Sequence, residues 1–291
     1  MSSHPKRSNR PLWIAVLCLS LALLVGLAIY WIYAHRQNQI DASKYHSTVP
    51  ANSEPEPETE TTAPTESPTT EPVASTAPET TSEPTSAPLQ DNPVDFASLQ
   101  AVNSDVYSWI YLPMGPDLSN IDYPILQARY EDDDNFYLHH DLNRNYLYAG
   151  CVYTQKANAK DYSDRVTVIY GHNMLDGTMF SNLVYFQNQD FFDQHEFFYI
   201  YTPGHILTYR IAAAIQFDTR HLLNCFDFND DRIYENWIDT YVLHPKAMIR
   251  CVRDNVDVTI EDKLVILSTC LEHGASRFLI QGVLVSDEET N

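Results

Sequence analysis

Three residues with complementary chemistry stand at the ends of apolar runs. Cys270 closes the run Lys263-Leu-Val-Ile-Leu-Ser-Thr-Cys270, and Arg277 opens a second run that continues to Val285. Runs this rich in Val, Ile and Leu read as strands, and the short connection makes them antiparallel neighbours. Thiol and guanidinium then share one end of a sheet. Upstream, Arg165-Val-Thr-Val-Ile-Tyr170 breaks at Gly171 and delivers His172 and Asn173 into a turn. A thiol, an imidazole and a fixed cation at strand ends can serve as nucleophile, acid/base and oxyanion stabiliser. A lone Cys after a strand is ordinarily a small buried hydrophobe, so the three carry weight only together.

The elements that must position them occupy the last two thirds of the 291-residue chain. Residues 1–11 are polar and basic, with Lys6, Arg7 and Arg10, and are expected to be cytoplasmic. Residues 12–34 are apolar or uncharged throughout. A run of about 20 such residues matches the bilayer core and exceeds a cleaved signal core. A single-pass signal anchor is expected, with the denser N-terminal basic cluster inside and the remainder of the chain extracellular. Residues 35–93 are dominated by Pro, Thr, Ser, Glu and Ala, and no Lys or Arg lies between Lys44 and Arg129. Such a segment buries too little apolar surface to offset chain entropy, which predicts a disordered stalk.

Residues 94–291 have the composition of one folded domain with a single core. A net charge of −21 argues against a nucleic-acid partner, since phosphate binding needs a basic surface. The cluster Glu131-Asp-Asp-Asp134 lacks the spacing of a calcium loop and reads as a solvated turn. Of five cysteines, Cys18 falls in the expected span. If Cys270 is free, Cys151, Cys225 and Cys251 cannot all pair, and one disulfide among them is left open. No phosphate loop, zinc helix or nucleotide fingerprint is present, and neither cofactor nor metal is expected.

Helical spacing of Phe96, Leu99, Val102, Val106 and Trp109/Ile110 predicts a helix at the start of the domain. Strands are predicted over 121–126, 149–154, 165–170, 197–201, 205–215, 256–260, 263–269 and 278–285. A second helix, capped by Asn229 or Asp230, spans 230–243 through Ile233, Trp237, Ile238, Tyr241 and Val242. Many short strands with few helices make the fold α+β, mainly β, as a closed or nearly closed barrel.

Ile266-Leu-Ser-Thr-Cys270 with Arg277, and Tyr170-Gly-His-Asn-Met174 followed by Gly177-Thr-Met-Phe180, resemble the active-site motifs of class B sortases. The likeness extends to Asn135-Phe-Tyr-Leu138 with Asp141, to Ala149-Gly-Cys-Val-Tyr153 and to Phe191-Phe192. It implies an eight-stranded sortase barrel with an N-terminal helix and a helix inserted between the sixth and seventh strands, behind a membrane anchor. It also implies a thioester on Cys270, proton handling by His172, and substrate and oxyanion binding by Arg277. The acyl donor would be the C-terminal sorting-signal peptide of a secreted protein. The acceptor would be an amine of a peptidoglycan precursor or a pilin lysine. Ser268, Thr269, Leu138, Asn135, Asp134 and Asn173 are the candidate substrate contacts. Ile266 stands where relatives often carry Thr, and Leu271 where some carry an acidic residue, which bears on substrate detail.

Two other classes remain. An L,D-transpeptidase shares the His-then-Cys order but expects Ser-x-Gly-Cys-x-Arg, whereas Cys270 sits between Thr269 and Leu271. A non-enzymatic tethered surface-binding module would carry an unreactive Cys270.

Overall fold

The computed structural model describes residues 20, 21, 23–27, 29, 89–271 and 274–291. Most of the expected membrane span, 12–34, lies outside them. Among the described residues no helix is long and apolar enough to cross a membrane. Most of the expected stalk also lies outside, but residues 89–93 are tied to the end of the chain. Gln90 pairs with Thr290, the Asn92 amide donates to Thr202 O (2.8 Å), and the Asn291 amide donates to Leu89 O (2.9 Å).

Helix α1 (Phe96–Val102) is capped by the Asp95 carboxylate, which accepts from Ser98 N. Nine strands follow: β1 (Val106–Leu112), β2 (Ile121–Gln127), β3 (Val152–Thr154), β4 (Val166–Tyr170), β5 (Phe197–Thr202), β6 (His205–Phe217), β7 (Arg250–Val252), β8 (Leu264–Leu271) and β9 (Ser276–Glu289). Their order is β5-β1-β2-β3-β4-β8-β9-β6-β7, and β5 also pairs with β6. Eight strands therefore close into a barrel, and β7 hangs on the outside of β6. Closure leaves no long free edge for another chain to pair with.

Side-chain alternation divides the barrel wall into two faces. On β8, Val265 and Leu267 point into the interior with Ile169, Phe180, Phe198 and Ile280. Leu264 and Ile266 point outward and join Val166, Val168 and Leu279. That outer patch is covered by the segment between β6 and β7: α3 (Leu222–Cys225), α4 (Asp231–Trp237) and a π-helical turn, Ile238–Leu243. Trp237, fully buried, donates its indole N–H to Gln281 Oε1 (2.9 Å), and Gln281 in turn donates to Tyr241 O. A buried amide on β9 is thus satisfied by the inserted helix, which fixes the helix on the wall. α2 (Gln189–Gln194), between β4 and β5, carries the buried Phe192.

The expected first helix stops early: Asn103 caps it, and Val106–Leu112 is strand β1. β1 is buried on both faces, with Tyr107, Ile110 and Leu112 inside and Val106 and Trp109 under α1. A continuous apolar run fits helical and strand spacing alike. The expected strand over 256–260 pairs with nothing in the sheet; Val256 and Val258 pack there as irregular chain, and β7 takes the edge instead. The expected strand over 149–154 begins only at Val152.

Candidate active site

Strand register brings the three reactive residues together. β8 and β9 are antiparallel with Cys270 opposite Arg277. β4 and β8 are parallel with Tyr170 opposite Ser268, and His172, two residues past the end of β4, lines the same cleft as Cys270. Parity places Tyr170, His172, Cys270 and Arg277 on the outer face, continuous with Val168 and Leu279. Here the cover of α3 ends and the wall opens into a cleft of about 290 Å³. Its lining includes Asn135, Leu138, Tyr153, Gln155, Tyr170, Arg220, His221 and Ser268 besides the reactive three.

Arg277 Nη1 donates to Cys270 Sγ at 2.6 Å. The guanidinium thus lies directly against the sulfur that would attack. His172 Nε2 lies 3.0 Å from Leu138 O. A carbonyl only accepts, so the proton of the neutral ring is on Nε2 and Nδ1 carries the lone pair. Burial pushes the His172 pKa below its usual value; the bond to Leu138 O opposes this, and the neighbouring His139 adds to it. The ring is therefore neutral at pH 7, ready to take a proton. If a neutral His172 is required, turnover should fall as pH drops through this lowered value. The acid limb of kcat/KM should lie below about 6.5; a limb above 7 would contradict the assignment.

The carbonyl that holds His172 is itself braced. Leu138 ends a short 3-10 turn, Phe136–Leu138. Tyr137 is fully buried there and donates to Asp105, which also binds Arg129 (2.9 Å) and Arg144 (2.6 Å). Burial opposes ionisation of Asp105, but the bonds from Tyr137 and Arg129 and the charges of both arginines outweigh it and hold the carboxyl below its usual range. On the other side Gly150, at φ 58°, lies so close that a Cβ would stand 2.3 Å from Leu138 O and 2.4 Å from Tyr137 O. Gly150→Ala should therefore destabilise the fold by roughly 1–3 kcal/mol and lower activity further by displacing the His172 acceptor. A thermal melt beside a rate measurement checks both, and a wild-type melt would refute the close-approach argument.

Of the expected substrate contacts, Asn135, Leu138, Ser268 and Thr269 line the cleft. Asn135 Oδ1 accepts from Tyr153 and Gln155, whereas the Thr269 hydroxyl donates to Gly171 O (2.8 Å) and holds β8 to the His172 turn. Asp134 and Asn173 stand off its wall. Asp134 accepts from Lys156 N, and the Asn173 amide donates to Cys270 O (2.9 Å), fixing the backbone of the nucleophile. In the acidic cluster Asp132 binds Arg144 and Asp133 accepts from Asn135 N. Cys151, Cys225 and Cys251 are free thiols, and burial raises the pKa of Cys151 and Cys251.

Sequence reasoning overlooked Tyr170. Its hydroxyl is buried and, among the described residues, has no hydrogen-bond partner; its ring stacks on Tyr153 at 5.4 Å. The signal was available: Tyr170 precedes His172 by two, so on a strand it shares its face. Arg220 and His221 reach the cleft from the loop after β6, where no periodicity announces them.

No protein-family model matches the chain. Sortase B of Listeria monocytogenes is 30% identical over 195 residues, covering 66% of this chain and 74% of its own. Sortase B of Staphylococcus aureus is 27% identical over 175 residues, covering 60% and 67%. The crystal structure of Clostridium perfringens sortase B superposes with a TM-score of 0.55 at 25% identity, over 66% of this chain and 100% of that one. The barrel and these relatives define a cysteine transpeptidase. The chain belongs to the class B sortases, which sets aside the non-enzymatic and L,D-transpeptidase alternatives.

Proposed function

We propose that the chain cleaves the C-terminal sorting-signal peptide of a secreted protein and transfers the acyl part to an amine of a peptidoglycan precursor or pilin. The observation that carries this is the Cys270–Arg277 contact across β8 and β9, with His172 in the lining of the same cleft. Cys270 gives its proton to Nδ1 of His172 as the sulfur adds to the scissile carbonyl. Arg277 receives the oxyanion. The imidazolium protonates the leaving amine, the C–N bond breaks and a thioester remains. An incoming amine then loses its proton to the neutral His172 and attacks the thioester. The C–S bond breaks, and Arg277 holds the returning thiolate. Hydrolysis is the same route with water as acceptor.

The cleft supports a peptide donor, because Asn135, Gln155 and the unpartnered Tyr170 hydroxyl offer uncharged hydrogen-bonding groups along one wall. The apolar run 12–34 and the Pro/Thr/Glu-rich stretch after it support a single-pass anchor with a tether and an extracellular catalytic domain. Peptides copying the C-terminal sorting signals encoded by neighbouring genes test the reading. Incubated with the full-length chain and glycinamide, at least one should be cleaved and its acyl half recovered as the glycinamide adduct. Failure to cleave any, by a chain that melts cooperatively, would count against a sorting-signal donor.

A further inference from the structure

On the far side of His172 from the donor cleft lies a lip of rings that the mechanism has not used. Tyr148 stacks on His172 (centroids 5.4 Å, 22°) and on His139 (5.7 Å, 24°), and His139 stands 5.3 Å from His172. Tyr146 continues the row, 6.3 Å from His139 and from His140. Tyr146 and Tyr148 remain 70% and 62% exposed, and neither lines the donor cleft. An incoming amine surrenders a proton at His172, and these rings border the imidazole outside the cleft lining. At neutral pH a primary amine is an ammonium ion, and the face of a tyrosine attracts an ammonium electrostatically. From this geometry we infer that Tyr146 and Tyr148 form the acceptor subsite, gathering the primary ammonium group of the acceptor beside His172, where one proton leaves to water to free the amine and the second passes to His172 as the amine attacks. The inference rests on the transpeptidation reading above and adds where the second substrate binds.

The thioester formed by the full-length chain on a cleavable sorting peptide can be chased with glycinamide, with hydroxylamine, which is uncharged at neutral pH, or with water alone. Tyr146 touches no residue of the proposed machinery, so Tyr146→Ala should form thioester at the wild-type rate. Its glycinamide-to-water partition should fall about two- to five-fold, and that of Tyr146→Ala with Tyr148→Ala about five- to twenty-fold. Hydroxylamine capture by Tyr146→Ala should stay unchanged, and Tyr146→Phe, which keeps the ring face, should partition as wild type. An unchanged glycinamide partition in the double variant overturns the inference. Equal losses with glycinamide and hydroxylamine overturn it as well, since the effect is then not one of charge. Slower thioester formation in Tyr146→Ala would place the lip on the donor side and overturn it too. A wild-type chain that forms no thioester at Cys270 removes the transpeptidation reading itself, a failure seen before any amine is added.

Discussion

Cys270→Ala should abolish thioester formation and transpeptidation, with a loss of at least about 10⁴-fold, because nothing else in the cleft can carry the acyl group. The other described thiols have no claim on the role. Cys151 and Cys251 are buried and their pKa values are raised by that burial, which keeps them as thiols. Cys251 is also held against Gln187 O. Cys225 is exposed on α3, away from the register that assembles the site. Mass spectrometry of the enzyme quenched with its peptide should find the acyl adduct on Cys270 alone. The adduct on any other cysteine, in wild type or in Cys270→Ala, would break the assignment.

Arg277→Lys should lower kcat by about 10²–10³-fold although it preserves the charge. The contact at 2.6 Å uses one guanidinium nitrogen, Nη1, and leaves the rest of the planar fork for the oxyanion; a lysine ammonium cannot serve both from one side of the strand. His172→Gln should cost about 10²–10⁴-fold, since it removes proton transfer in both half-reactions. Quenched-flow measurement should show both variants slow in acylation and in resolving a preformed thioester, because the oxyanion forms and a proton moves in each half-reaction. Both should melt near wild type, because neither side chain supports the core clusters. An Arg277→Lys enzyme with wild-type acylation would show that the fork geometry is unnecessary.

The reactive residues were legible in the sequence because each stands at a strand end, and strand ends are what period-two patterns mark best. Cys270 and Arg277 needed only an antiparallel pair. His172 needed a third strand next to them, and the parallel β4–β8 pairing supplies it. What escaped was set by long-range contact. β1 was taken into a helix because its two buried faces erase the alternation that identifies a strand. The turn that holds His172 depends on Asp105 meeting Tyr137 and Arg144, partners 32 and 39 residues away in sequence. No local pattern records such a meeting. The eight expected strands matched the barrel's number although one of them is irregular chain and β1 was missing from the set.

The pairing of Gln90 with Thr290 sets the place where the N-terminal segment joins the barrel. β9 leaves the cleft at Arg277 and runs to Glu289 beside that bridge. At about 3.3 Å per residue, the nucleophile and the point where the N-terminal segment joins the barrel are separated by roughly 40 Å along one strand. They lie at opposite ends of β9. A tether leaving from that end, as proposed, joins the barrel away from the cleft and leaves its mouth unobstructed. Lengthening or trimming the stretch before residue 89 then changes the reach of the enzyme without touching the cleft.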